Sequence, residues 1–74
     1  MDLTLSEREI DVLRLLADGL PSREIGEKLY ISKRTVDFHL AHIYEKLEVH
    51  NRVLAIKRGE ELDLMSTIPA LQAA

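Results

Sequence analysis

Ser22-Arg23-Glu24-Ile25-Gly26-Glu27-Lys28-Leu29-Tyr30-Ile31-Ser32-Lys33-Arg34-Thr35-Val36-Asp37-Phe38-His39-Leu40 (residues 22–40) reads as a short helix, a three-residue connection and the start of a longer helix. Ile25 and Leu29 share one face of the first piece, Arg23 to Leu29, with Gly26 beside them. Glycine in a helix interior costs about 1 kcal/mol relative to alanine, and a close helix–helix crossing is the expected reason for its place. Tyr30-Ile31-Ser32 forms the connection, and Ser32 is a good N-cap. Val36, Leu40, Ile43 and Leu47 then follow at helical spacing, which predicts a helix from about Lys33 to Leu47 with a narrow core-facing stripe.

Working toward the N-terminus, Ser6 followed by Glu9 is a capping box, and Leu5 with Ile10 supplies its hydrophobic staple. Ile10, Leu13, Leu16, Ala17 and Leu20 recur at helical spacing, so a first helix is expected from roughly Glu7 to Asp18, with Gly19 as its left-handed stop. Pro21-Ser22 marks a break and a new cap. Toward the C-terminus, Asn51 caps a fourth helix from Arg52 to about Arg58, carrying Val53, Leu54, Ala55 and Ile56, and Gly59 is expected to end it. No segment alternates with period two for long enough to form a strand, so the fold class is all-α. Residues 1–58 form the expected domain. Residues 59–74 form a tail, partly helical or frayed, in which Leu62, Leu64, Met65, Ile68 and Leu71 are apolar and Pro69 interrupts any long helix.

Composition narrows the function. At 74 residues with 46% apolar and 31% charged side chains, there is material for one small core. The absence of cysteine excludes disulfides and thiolate metal ligands. No apolar run approaches the roughly 20 residues of a membrane helix. Residues 1–4 show neither the basic flank nor the apolar stretch of a signal peptide, so no membrane partner and a cytoplasmic location are expected. The net charge is −3, yet residues 22–58 alone carry +3, between two flanks of −3 each. That asymmetry places a binding face in the middle of the chain.

The middle face has a specific shape. A short helix, a tight connection and a longer helix with a polar outer face describe a helix-turn-helix, whose second helix enters the major groove. Opposite the Val36–Leu47 stripe lie Arg34, Phe38, Ala41 and Glu45, flanked by Asp37 and His42. Lys33, Thr35 and Ser32 gather at the helix start, where two cations, two hydroxyls and the positive helix end suit phosphate. Phe38, nearly opposite Val36, is predicted to be exposed, with a thymine methyl as its use. His39, His42 and Glu45 lie one turn apart, but no third strong ligand is placed, so no metal and no cofactor is expected. Glu7, Glu9 and Asp11 read as first-turn charges favoured by the helix dipole. No nucleophile–base–orienter set and no glycine-rich phosphate loop is present, so the chain is not expected to be an enzyme.

These residues bring a family into view. Leu5-Ser6-Glu7-Arg8-Glu9, Val12-Leu13, Gly19, Glu24-Ile25, Leu29, Ile31-Ser32, Thr35-Val36, His39, Ile43, Lys46-Leu47-Glu48-Val49, Asn51-Arg52 and Ala55 resemble the LuxR/FixJ-type DNA-binding domain over about residues 4–58. The resemblance implies a four-helix helix-turn-helix domain that binds double-stranded DNA for a bacterial transcription regulator. It puts Lys33, Arg34, Asp37, Phe38 and Ala41 toward bases, with Thr35 beside them. Arg23, Ser32, Thr35, Lys46 and Arg52 would meet phosphate. It further implies a homodimer through the fourth helix, at Val53 and Leu54. The chain is either a stand-alone protein or a C-terminal domain, and in the second case an upstream receiver or ligand-binding domain is expected. Gly26 stands where the family usually has alanine, and Asp37 where many members carry lysine. Asp37 has two readings: an acceptor for cytosine N4, which we favour, or a local pair with Lys33 or Arg34. A helical protein–protein module using the same face is the alternative function. RNA binding is disfavoured by the scarcity of stacking aromatics.

Overall fold

The helix boundaries follow from local chemistry at each end. The computed structural model describes residues 5–62 and 64. It contains α1 (Glu7–Ala17), α2 (Ser22–Leu29), α3 (Lys33–Leu47) and α4 (Arg52–Glu61), with no strand among the described residues. At α1 the capping box is complete: the Ser6 hydroxyl accepts the Glu9 N–H at 3.1 Å, and the Glu9 carboxylate accepts the Ser6 N–H at 2.9 Å. Ser32 accepts the Thr35 N–H at 3.0 Å, and the Asn51 side-chain oxygen accepts the Leu54 N–H at 2.9 Å. Ser22 departs from expectation. It is the first residue of α2, and Pro21, in extended conformation, occupies the cap position without a side-chain bond.

Three helices end on a left-handed residue: Gly19 after α1 (φ 91°), Tyr30 after α2 (φ 60°) and Glu48 after α3 (φ 59°). At each, the next N–H (Leu20, Ile31, Val49) donates to the carbonyl five residues earlier (Leu15, Gly26, Tyr44). This bond satisfies an otherwise orphaned carbonyl and draws an apolar residue onto the core. It offsets the roughly 1–2 kcal/mol that the left-handed region costs an L-residue. Leu20, Ile31 and Val49 all pack against the core. The sequence pattern exposes this device only at Gly19, where the residue type announces it.

The fourth helix is longer than the sequence suggests. Gly59 does not end it but is buried within it, and the last turn closes through Leu62 N–H to Arg58 and Leu64 N–H to Gly59. Leu62 and Leu64 pack against the core, so the expected boundary at residue 58 falls inside α4. A glycine stops a helix only if the left-handed turn is used. Here two leucines downstream gain more by covering the bundle. Asp63 and the tail from Met65 onward, including Ile68, Pro69 and Leu71, lie outside the described residues.

The core comprises Leu5, Val12, Leu13, Leu16, Ile25, Val36, Leu40, Ile43, Leu47 and Ala55. All four residues of the α3 stripe are in it, each contributing about 1.5–3 kcal/mol through burial. α1 and α3 each pack against the other three helices, so α3 is held along its whole inner side. Two polar braces add to this. Lys46 Nζ donates to Glu9 Oε1 at 2.8 Å, tying α3 to the start of α1, and Arg52 Nη2 donates to the Leu20 carbonyl at 2.8 Å. The Glu9 side chain is only 6% exposed. Burial alone would raise its pKa. The Lys46 hydrogen bond and charge, with the Ser6 backbone and hydroxyl, outweigh burial and hold it below the usual 4.5.

Gly26 marks the tightest approach. A Cβ built there would lie 2.5 Å from the Ile31 carbonyl oxygen. The close neighbour is therefore the backbone of the α2–α3 connection, rather than a crossing helix. Gly26→Val is expected to destabilise the domain by about 1–3 kcal/mol, the usual cost of overpacking, read as a lower urea midpoint. An unchanged midpoint would mean that the connection yields freely.

The Glu9 brace predicts an acid-sensitive stability. A carboxyl whose folded pKa lies below its unfolded value stabilises the fold above the unfolded pKa, and that stability is lost as pH falls through the folded value. Glu9→Gln should lower stability by about 1–3 kcal/mol at neutral pH. This is less than the roughly 3–5 for breaking a fully buried pair, because Lys46 is itself one-third exposed. The difference between the two proteins should shrink as pH is taken below about 4.5. Parallel urea titrations across pH would refute this if the gap were constant.

Candidate nucleic-acid interface

The burial of one side of α3 leaves its other side bare. Lys33, Arg34, Asp37, Phe38 and Ala41 are all exposed and lie together on the face away from the core, continued by His42 and Glu45. Phe38 is 60% exposed, as its angular position opposite Val36 predicts. At the helix start the Ser32 and Thr35 hydroxyls lie 3.0 Å apart and share a hydrogen bond. Together with the cap bond, this ordered first turn leaves the N-terminal end of α3, where the helix dipole is positive, pointing at solvent.

Asp37 sits at the junction between α2 and α3. Its Oδ2 accepts from Lys33 Nζ at 2.7 Å, so the local pair foreseen as one of its two readings is present. The Lys33 bond, and then the Ser22 hydroxyl, hold its carboxyl below the usual carboxylate range. Ser22, expected as a cap, instead presents its hydroxyl to Asp37. An ionised carboxylate has about four acceptor sites, so one lysine and one hydroxyl still leave capacity for a further donor.

Arg23 is exposed in the first turn of α2, beside Glu24, Glu27, Lys28 and Tyr30, which line a shallow groove with it. Lys46 and Arg52, expected at phosphates, carry the internal braces described above. The structure thus gathers Ser32, Lys33, Arg34 and Thr35 at the start of α3, leaves Arg23 exposed at the start of α2, and commits Lys46 and Arg52 to bonds with α1 and the α1–α2 turn. Glu9, read from sequence as a dipole charge, is the partner that was missed. Its spacing carries the signal, since residues 5, 9, 12, 13 and 16 fall on one stripe of which only Glu9 is polar.

On α4, Val53 and Leu54 are 69% and 42% exposed, adjacent to each other in the first turn after the Asn51 cap, while Ala55 next to them is buried. Among the described residues no group of three histidine, cysteine, aspartate or glutamate side chains is placed to hold a metal ion, and no helix is long and apolar enough to cross a membrane.

The sequence profile of the family described as bacterial regulatory proteins, luxR family, matches residues 3–58. The Fimbriae Z protein of Salmonella typhimurium is 41% identical over 64 residues, which span 86% of this chain and 30% of that protein. The transcriptional regulatory protein DesR of Bacillus subtilis is 47% identical over 57 residues, 77% of this chain and 29% of the relative. Among solved structures, that of the response regulator ChrA of a heme-sensing two-component system superposes with a TM-score of 0.81 at 48% identity. The match covers 82% of this chain and 30% of that one, so the chain spans under a third of the length of these relatives. With a family profile matched over most of its length and identities above 40%, the chain belongs to the LuxR family of bacterial regulatory proteins.

Proposed function

We propose that this domain lays α3 in the major groove of double-stranded DNA, with Lys33, Arg34, Asp37, Phe38 and Ala41 toward base edges. Membership in the family makes the chain a helix-turn-helix DNA-binding domain of a transcription regulator. The observation that carries the docking mode is the bare outer face of α3, rigidly backed by the buried stripe and opened by a capped, positive N-terminal turn. Arg23, Ser32 and Thr35 approach phosphates on either side of the groove and fix register, while the outward residues discriminate sequence. Asp37 restrains Lys33 until DNA is present and offers its further acceptor capacity to a base donor such as cytosine N4. The chemistry is binding and positioning, with no catalytic step.

Two copies meet through α4. Val53 and Leu54 form a small exposed apolar patch that a second copy would cover, setting two recognition helices on paired half-sites. Where the chain is part of a longer protein, a receiver or ligand-binding domain would govern when this pairing occurs. The relatives, about three times as long as the matched segment, support that arrangement.

Binding should depend steeply on salt. With Arg23 at a phosphate and Lys33 and Arg34 bringing two further charges into the groove, about three cations per subunit displace counterions, and a dimer is expected to show a log–log slope of affinity against salt of about −5. A slope near zero would favour a protein–protein module over DNA binding. For the dimer, Leu54→Glu is expected to weaken binding to paired half-sites at least about tenfold while leaving a single half-site within about twofold, because burying an unpaired charge opposes association. Equal losses on both duplexes would reject the α4 interface.

A further inference from the structure

Phe38 is the single phenylalanine of the sequence, and it is exposed on the face that meets DNA. It does not stand alone there. Its ring centroid lies 4.4 Å from that of His42, one helical turn on, with the planes tilted by 42°. On its other flank His39 presents an edge, at 6.1 Å and 66°. Aromatic pairs at such separations attract beyond simple area burial, and an i,i+4 pair on a helix is well placed to form. The stack limits the swing of an otherwise free side chain. Ala41, at i+3 from Phe38 and also exposed, contributes only a methyl, so space is left beside the ring for a base edge.

We infer that His42 is a positioning residue for sequence readout: its stacked ring holds Phe38 where it meets the C5-methyl of a thymine in each half-site. This rests on α3 lying in the major groove. A phenyl ring makes no hydrogen bonds, and the thymine methyl is the apolar feature that the groove edge offers. Pre-organised by His42, the ring meets that methyl without first losing rotational freedom, so the discrimination it provides is larger than a mobile phenylalanine would give.

The test uses the whole chain. Duplexes that it binds are selected from a random pool, and each thymine of the selected half-site is replaced singly by deoxyuridine, which removes only the methyl. One position is expected to lose affinity about fourfold, the value of one buried methyl group. That loss should vanish in Phe38→Ala, fall below about twofold in His42→Ala, and persist in His42→Tyr, which keeps a ring at the position. A uracil penalty in His42→Ala equal to that of the unaltered protein overturns the inference, as does its disappearance in His42→Tyr. Failure to enrich any sequence from the pool would overturn the DNA-reading proposal itself. Enrichment of a site indifferent to every uracil would overturn only the role given to Phe38 and His42.

Discussion

The presentation of α3 depends on how closely the α2–α3 connection passes over Gly26. With no Cβ at that position, the Ile31 carbonyl can lie where a side chain would otherwise stand, 2.5 Å from the ideal Cβ site. The Gly26 carbonyl in turn accepts the Ile31 N–H at 2.9 Å, so the residue both makes room for the connection and closes it. What α3 shows to solvent follows from this approach together with the cap and the stripe. The connection fixes where the helix starts, the Ser32 cap fixes its first turn, and the buried stripe fixes its rotation. The outer residues have no anchor of their own in the core, so they are oriented as a block by the stripe behind them.

The electrostatics favour discrimination over raw attraction. The chain is net negative, and two of its central cations are neutralised locally, Lys46 by Glu9 and Lys33 by Asp37, while Arg52 keeps its charge but is tethered to the Leu20 carbonyl. Long-range attraction to a polyanion is thereby weakened, since phosphate neutralisation supplies the sequence-independent part of DNA affinity. What the domain retains is a compact set of groups at one helix start and an outward face that mixes a cation, an acid, an aromatic ring and a methyl. In the proposed docking mode such a surface would gain little on arbitrary DNA and more where a base edge matches it. In the proposed dimer the exposed Val53 and Leu54 on α4 would complement this, because weak half-site binding becomes useful once two copies act together.

The sequence by itself determined the helices and their order. The Ser6, Ser32 and Asn51 caps each satisfy backbone donors within three residues, and the α3 stripe has a period that only a helix can bury on one side, so these features are local and legible. The exposure of Phe38 followed from the same angle arithmetic. Tertiary structure decided which polar groups are spent on the fold. Glu9 and Lys46 are 37 residues apart, and Arg52 and Leu20 are 32 apart, so no local rule pairs them. The same holds for Ser22, whose hydroxyl serves Asp37 on another helix, and for Gly59, which stays helical because Leu62 and Leu64 find apolar surface beyond it. A charged side chain announces its charge in the sequence, but whether that charge is kept for a partner or consumed inside depends on what packing brings within hydrogen-bond reach.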